Sequence, residues 1–335
     1  MYNKMSILKK ISNIKIFAKH ISNPQTLRSM HIKKGNNFEV FGGKAKCPFS
    51  DNVKLMQDDT LSKVDYFAAP MENIEDYYSK NFTLFLQNGP NHTLRREYLG
   101  KLIEKSHNNL DQLKTYLKDN EKDLELSLVK FLMKSMLNID IDDNSANELI
   151  NYRTNAGLLS QLPKLLRNTI FRKKHDLAIK TKNKFYKLIS DNGFDLYENI
   201  FDMLWFNAAS LGFYSLKTIE EINKNNALKQ KLMFEIEKPI SDRLLIRGVC
   251  MEILRLYPRI ASINYSKNNE VKVACIPAAN VDSSRFKDPY TIDPLRNNDI
   301  CLTLATPSKR SCLAKNFVPD IMVTIVSQSL INSRG

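Results

Sequence analysis

The sequence predicts a mainly α-helical protein with a small β portion late in the chain. Three observations support this prediction. The 335 residues include only 10 glycines and 12 prolines, so few positions interrupt regular structure. From about Asp65 onward, apolar residues recur three and four positions apart, which is the period of an amphipathic helix. From Glu270 to Arg296 this pattern gives way to short β-like runs, prolines and Asp-Pro turns.

The individual elements follow from the pattern in chain order. Residues 39–60 are polar and contain two glycines, so we expect a loop there. Pro258 stops the fourth predicted helix, and a last helix is expected to begin near Leu313, with a kink at Pro319. We find no linker and no repeat, so residues 39–335 are predicted to form one domain. The helices of the body are predicted within residues 96–107, 124–137, 198–219 and 240–257.

Residues 1–38 form a basic leader. The chain has a formal net charge of +14, and this segment contains eight Lys or Arg residues but no Asp or Glu. Apolar residues recur between the lysines at helical spacing. The leader fits an organellar targeting peptide (for a mitochondrion or plastid), a helix that contacts a membrane surface, or a poorly ordered arm. Nucleic-acid binding is not expected, because the basic residues do not interleave with aromatic residues in a recognisable module.

The cysteine pattern does not favour a zinc site. The sequence contains no CxxC pair and no HExxH motif. The odd number of cysteines and the lack of an evident cleavable signal peptide favour a reducing, intracellular compartment. No run of roughly 18 apolar residues predicts a transmembrane helix. The cysteines are Cys47, Cys250, Cys275, Cys301 and Cys312.

Three separated stretches place charged residues and a cysteine in a notable order. Glu252 and Arg255 are three positions apart, so they share one helix face and can form an ion pair. Arg296 ends the segment AANVDSSRFKDPYTIDPLR, and Arg310 precedes Cys312 by two positions. Taken singly, such an E-x-x-R pair is usually a surface ion pair, and a lone cysteine usually fills a core.

In this order, the stretches resemble the heme-thiolate cytochrome P-450 superfamily. The resemblance runs from about Asn88 to the last helix and implies a P-450-like helical domain, shortened at the C-terminus, that binds heme b (iron protoporphyrin IX). Cys312 would be the axial thiolate ligand of the iron. Glu252, Arg255 and Arg296 would form a buried ion triad that fixes the loop before the cysteine.

The resemblance also implies which residues hold the heme propionates. His92 and Arg96 are four positions apart on a helix that begins in the stretch NGPNH, so they share one face. Together with Arg310 they would bind the propionate carboxylates, which suit the forked guanidinium of arginine. The superfamily loop F-x-x-G-x-R-x-C-x-G is altered here. Ala305 replaces its phenylalanine, and Ser308 and Ala314 replace its glycines.

The central helix lacks the acid–alcohol pair with which monooxygenases of this superfamily deliver protons to bound oxygen. Leu211 and Gly212 occupy those two positions. The FNAA stretch at 206–209 instead resembles the F-N-x-x-G-G pattern of allene oxide synthases and fatty acid hydroperoxide lyases, although both glycines are replaced. CLAKNFV at 312–318 and PNH at 90–92 also resemble motifs of that clan.

This clan rearranges or cleaves a peroxide that the fatty acid already carries, so it needs no reductase. The resemblance therefore implies an allene oxide synthase, hydroperoxide lyase or epoxyalcohol synthase that acts on a lipid hydroperoxide or another small hydrophobic substrate. The amide of Asn207 would orient the peroxide and act with Cys312 in catalysis. Alternatively, Asn207 is an ordinary polar residue that faces a neighbour. Two other functions stay open: a reductase-dependent monooxygenase with an acidic redox partner, and a shrunken heme-binding relative without turnover.

Overall fold

The computed structural model describes most of the chain beyond the leader. The predicted leader (1–38), Cys47 and Arg310 lie outside the described residues, and of 64–89 only Asp76 and Tyr77, in a turn, are described. The described residues are 39–40, 43–46, 48–58, 61–63, 76–77, 90–119, 123–160, 162, 164–259, 262–267, 270–296, 301–304 and 311–334.

Helices dominate the described residues, and the strands are short and few, as the sequence predicts. Short 3-10 turns lie at Leu110–Gln112, Ile240–Asp242 and Leu302–Leu304. In chain order, the elements are β1 (Glu39–Val40), β2 (Gly43–Lys46), α1 (Phe49–Gln57), β3 (Ser62–Lys63), α2 (Pro90–Asn108), α3 (Leu113–Asp119), α4 (Leu124–Leu137), α5 (Asp143–Leu159), α6 (Lys164–Asn168), α7 (Arg172–Asp191), α8 (Tyr197–Asn223), α9 (Asn226–Glu235), α10 (Leu244–Leu256), β4 (Ser262–Lys267), β5 (Glu270–Cys275), α11 (Ile276–Ala279) and α12 (Phe317–Asn332).

The described residues group into two units, which we call the sheet unit and the helical unit. The sheet unit contains the described residues of 1–68 and 244–315. The helical unit contains those of 69–243 and 316–335. The division into a leader at 1–38 and one domain at 39–335 stays a prediction.

The helical unit is built around α8. This helix is 27 residues long and packs against α4, α5, α7, α9 and α12. Side-chain caps begin two of the neighbouring helices. Asp123 accepts a hydrogen bond from the backbone N–H of Leu126 at 3.0 Å, and Asp142 accepts one from Ser145 at 2.7 Å. Each cap satisfies a backbone donor that the start of a helix leaves unpaired.

The sheet unit contains a five-stranded sheet in the order β1-β2-β5-β4-β3. β4 and β5 pair in antiparallel fashion, from Ser262 opposite Cys275 to Lys267 opposite Glu270. β2 pairs with β5 in parallel. The run EVKVAC, in which the sequence predicts β structure, is β5 itself.

The prediction of a loop over residues 39–60 was wrong, because this segment contains β1, β2 and α1. Its partners lie far away in the sequence, where a local pattern cannot reveal them. The backbone N–H of Phe49 donates to Asp282, 233 residues later, at 2.7 Å. The ring of Phe49 also packs edge-on against Phe286, with the ring centroids 5.4 Å apart.

The prediction for the last helix also needs correction. The helix begins at Phe317 rather than near Leu313, so Pro319 is its third residue and not an interior one. Backbone N–H groups in the first turn have no acceptor within the helix. A proline there removes no helical hydrogen bond, and the expected reason for a kink is absent.

Candidate functional site

Glu252 and Arg255 form a buried ion pair near the end of α10. Nε and Nη2 of Arg255 donate to the two carboxylate oxygens of Glu252, each at 2.8 Å. The side chain of Glu252 is 0% exposed and that of Arg255 is 3% exposed. Arg255 also donates to the backbone carbonyls of Asn280, Pro289 and Thr291, at 2.8, 2.7 and 3.2 Å. All five N–H donors of the guanidinium are therefore used.

Arg296 reaches the same carboxylate from the segment that follows α11. Its Nε lies 3.2 Å from Oε2 of Glu252, and the side chain is 11% exposed. The backbone N–H of Asp293 donates to that oxygen at 3.1 Å. Nη1 of Arg296 donates to the carbonyl of Lys287 at 2.8 Å. A single carboxylate thus binds two arginines and one peptide group, and it holds this segment against α10.

Gly248 is a residue of this contact that sequence reasoning missed. A Cβ atom added to Gly248 would lie 1.9 Å from the carbonyl oxygen of Pro294, which is too close for any non-bonded pair. Only glycine therefore fits at this position of α10. An isolated glycine within a helical pattern gives no local signal of such a contact.

Asn280 and Thr303 were also missed, although both are buried and polar. Asn280 is 1% exposed and Thr303 is 3% exposed. Nδ2 of Asn280 donates to the carbonyl of Arg255 and to the hydroxyl of Thr303, both at 3.0 Å. The hydroxyl of Thr303 donates to the carbonyl of Leu254 at 2.7 Å. The available signal was an Asn within the quoted segment AANVDSSRF, but its partner lies in another segment.

Cys312 is held through its backbone. Its N–H donates to the carbonyl of Leu304 at 2.7 Å, next to Thr303. Of the described cysteines, Cys250, Cys275 and Cys301 are buried, whereas Cys312 is half-buried. Burial raises the pKa of the Cys301 thiol to about 11, so this group stays a neutral thiol near pH 7. Among the described cysteines, Cys312 is therefore the thiol that a ligand can reach.

The predicted propionate ligands are only partly described. His92 is buried and Arg96 is half-buried, one turn apart on α2. Between them, Arg95 donates to Oδ1 of Asn199 on α8 at 2.8 Å. Arg310 lies outside the described residues, as do the altered loop positions Ala305 and Ser308.

Asn207 lies in the middle of α8 and is half-buried. Among the described residues, none forms a hydrogen bond with its amide group. The buried residues Leu211 and Gly212 occupy the positions of the missing acid–alcohol pair. The side chain of Phe206 lies outside the described part of the structure.

Asp202 is the carboxylate of α8 closest in sequence to Asn207, and it acts on α7. Burial, followed by the charge of Asp202, raises the pKa of the Tyr186 phenol well above its ordinary value. Burial lowers the pKa of Lys182, and Asp202 opposes this shift. Tyr186 and Lys182 both lie on α7, so the charge of Asp202 influences two residues of that helix.

The structure therefore assembles part of the predicted set. In the sheet unit it joins Glu252, Arg255 and Arg296, and it places Cys312 one hydrogen bond from Leu304. In the helical unit it places His92 and Arg96 on α2, and Asn207 on α8. The roles of these residues toward a cofactor stay predictions. The remaining predicted residue, Arg310, lies outside the described residues.

Comparison with known proteins identifies the fold. No family model and no curated protein sequence matches the chain. Among solved structures, the chain is similar to P450BioI, in its crystal structure in complex with hexadec-9Z-enoic acid ligated acyl carrier protein. The TM-score is 0.69 at 12% sequence identity, and the match covers 94% of this chain and 92% of that chain. The chain thus has a cytochrome P450 fold, which confirms the predicted fold class.

Two further properties concern only the part of the chain that the structure describes. No helix there is long and apolar enough to cross a membrane. No group of three or more His, Cys, Asp or Glu side chains there could hold a metal ion. A heme iron takes its axial protein ligand from one side chain, so a single cysteine fits the needs of that cofactor.

Proposed function

We propose that the chain is a heme-thiolate enzyme that binds heme b through Cys312. Three observations support the proposal: the cytochrome P450 fold, the accessibility of Cys312 relative to the other described cysteines, and the backbone hydrogen bond that fixes it. In this proposal Glu252, Arg255 and Arg296 are structural, because their charges satisfy one another in a buried place.

The propionates of the heme would be held by His92, Arg96 and Arg310. The cationic guanidinium groups can each donate two parallel hydrogen bonds to a carboxylate. A histidine adds a further ring N–H donor. The chemistry of this set fits the two carboxylates of the cofactor, whose remaining surface is apolar.

We further propose that the reaction is the rearrangement or cleavage of a fatty acid hydroperoxide without a reductase. The observation that supports this proposal is the set of side chains in the middle of α8. There a half-buried amide, Asn207, has no hydrogen-bond partner among the described residues. The acid and alcohol positions are Leu211 and Gly212, and the nearest carboxylate of the helix, Asp202, acts on α7.

The amide of Asn207 suits a peroxide because it donates and accepts hydrogen bonds without titrating. It would bind the peroxide oxygens and set their direction while the surrounding buried residues, such as Ala208 and Leu211, exclude water. When bound, the heme would supply homolytic cleavage of the O–O bond of the substrate. A fatty acyl substrate is also in keeping with the hexadec-9Z-enoic acid ligated acyl carrier protein that is bound in the crystal structure of P450BioI, to which the fold is similar.

The test is turnover of polyunsaturated fatty acid hydroperoxides by the purified, heme-loaded protein without NADPH or a reductase. Asn207→Leu removes the amide but keeps the size of the side chain, so heme content should survive. Loss of one aligned donor in a dry site typically costs about 2.7–4 kcal/mol, or roughly 10²–10³ in rate. Asn223→Leu, on the exposed end of the same helix, is the matched control and should keep the wild-type rate.

Three other outcomes would redirect the proposal. Undiminished turnover by Asn207→Leu would make that residue structural. NADPH-driven hydroxylation with no peroxide turnover by the wild type would indicate the monooxygenase alternative. A heme spectrum without either activity would indicate a heme-binding protein without turnover.

A further inference from the structure

Two buried polar side chains connect the end of α10 with the peptide group that holds Cys312. We propose that Asn280 and Thr303 are positioning residues that fix the backbone of Cys312. The proposal rests on the proposed function, in which Cys312 is the heme ligand. Neither residue belongs to the ion triad, and each acts through hydrogen bonds that the structure shows.

Both side chains satisfy carbonyl groups that α10 cannot pair internally. The last four carbonyl groups of a helix have no N–H donor within the helix. The hydroxyl of Thr303 donates to Leu254 at 2.7 Å, and Nδ2 of Asn280 donates to Arg255 at 3.0 Å. Since Thr303 is 3% exposed and Asn280 is 1% exposed, bulk water cannot take over these bonds.

The two side chains also bind each other. The hydrogen of the Thr303 hydroxyl points to Leu254, so the hydroxyl oxygen is free to accept the second N–H of Asn280, at 3.0 Å. The backbone carbonyl of Asn280 accepts a hydrogen bond from Nη1 of Arg255 at 2.8 Å. Asn280 therefore binds Arg255 through both its side chain and its backbone carbonyl. Because Asn280 also binds Thr303, it links the position of Thr303 to that of the ion pair.

Thr303 is linked to Cys312 through its neighbour in the chain, Leu304. Leu304 ends the same 3-10 turn, and its N–H donates to the carbonyl of Cys301 at 3.0 Å. Its own carbonyl accepts the N–H of Cys312 at 2.7 Å. A shift of Thr303 therefore moves the acceptor of Cys312. Functional side chains need to be held to within about 0.5 Å by such supporting contacts.

The first experiment measures how often this part of the protein opens. Thr303→Val keeps the shape but leaves the carbonyl of Leu254 and one N–H of Asn280 without a partner. A buried group left unsatisfied typically raises the local opening equilibrium by about 5- to 150-fold. We expect the backbone N–H of Cys312, which donates to Leu304, to exchange with deuterium at least about fivefold faster in the variant than in the wild type. Mass spectrometry of peptides that contain Cys312 measures this exchange rate.

Matched variants separate positioning from a general loss of stability. Thr303→Ser restores the hydroxyl and should restore the wild-type rate. Thr324→Val removes another buried hydroxyl, which donates to the carbonyl of Asp320 at 2.9 Å in α12, and should leave the Cys312 rate unchanged. The exchange rate at Cys250, buried in α10, reports global opening, which both valine variants are expected to raise, so the decisive comparison is the Cys312 rate in Thr303→Val against that in Thr324→Val.

The second experiment uses the heme-loaded protein. The fraction of the red-shifted ferrous–carbonyl band, which reports thiolate ligation, should fall in Thr303→Val and in Asn280→Leu and return in Thr303→Ser. The double variant should lose less than the sum of the two single losses, because the contact between the two side chains is shared.

The two experiments fail in different ways. Equal exchange of the Cys312 N–H in the wild type, Thr303→Val and Thr303→Ser would overturn the positioning role, whatever the heme spectrum shows. Equal acceleration of the Cys312 rate by Thr324→Val would also overturn it. A wild type that binds no heme through a thiolate would refute the proposed function, whereas the exchange rates would still decide whether Thr303 fixes the backbone of Cys312.

Discussion

Glu252→Gln is the change whose effect the structure defines best. It preserves the shape of a fully buried side chain but removes the charge that Arg255 and Arg296 share. Both arginines would then be buried cations, 3% and 11% exposed, with no carboxylate between them. Removal of one partner from a buried ion pair typically costs about 3–5 kcal/mol. That is a large part of the roughly 5–15 kcal/mol by which a domain is stable.

Glu235→Gln provides the matched control for this prediction. The side chain of Glu235 is also buried, at 6% exposed, but its partner Lys238 is 52% exposed. Loss of this carboxylate leaves a cation that water can solvate, so the cost should be within about 1 kcal/mol. The free energy of unfolding from urea titrations, together with the heme content, measures both variants.

The two variants should therefore differ clearly in stability. Glu252→Gln should express poorly or yield heme-free protein, whereas Glu235→Gln should resemble the wild type. Equal losses of unfolding free energy in the two variants would refute the argument from buried charge. A stable, heme-loaded Glu252→Gln protein with only a slower reaction would contradict the structural role of the triad.

Three further predictions concern the cysteines and the leader. Cys312→Ala should lose the red-shifted ferrous–carbonyl band, and an unchanged spectrum would exclude Cys312 as the ligand. The raised pKa of Cys301 means that burial disfavours its thiolate, so its contribution to stability is present below its ordinary pKa of 9.0 and is lost as the pH rises through about 11. The urea midpoint should therefore fall over this range in the wild type more than in Cys301→Ala. A chain that begins at Glu39 should keep the cytochrome P450 fold but lose organelle import or binding to anionic vesicles. Identical localisation and vesicle binding by both chains would leave the leader as a poorly ordered arm.

Local spacing in the sequence was sufficient to predict the helices and one part of the candidate site. The apolar pattern predicted α4 over its whole length and α8 to within a few residues at each end. The pair Glu252 and Arg255 could be predicted because a separation of three places both side chains on one helix face. In these cases the physical cause lies within one or two turns of the chain.

Long-range contacts were beyond such prediction. The parallel pairing of β2 with β5, and the hydrogen bond from Phe49 to Asp282, join segments that are far apart in the sequence. The contact between Thr303 and Asn280 spans a smaller separation, but neither residue type distinguishes a buried bridge from an exposed turn. Gly248 likewise gives no signal until Pro294 is known to approach it.

Substitutions in the ion triad and at Asn207 are expected to differ in how much stability they remove. The charges of Glu252 and Arg255 are buried and fully bonded, so their loss is expected to cost a large part of the stability. Asn207 is half-buried, and no described residue bonds to its amide, so its replacement by an apolar residue of similar size should cost little stability. A chain can therefore keep the cytochrome P450 fold while the middle of α8 changes. If the proposed function holds, the residue type at 207, rather than the triad, distinguishes which reaction the protein performs.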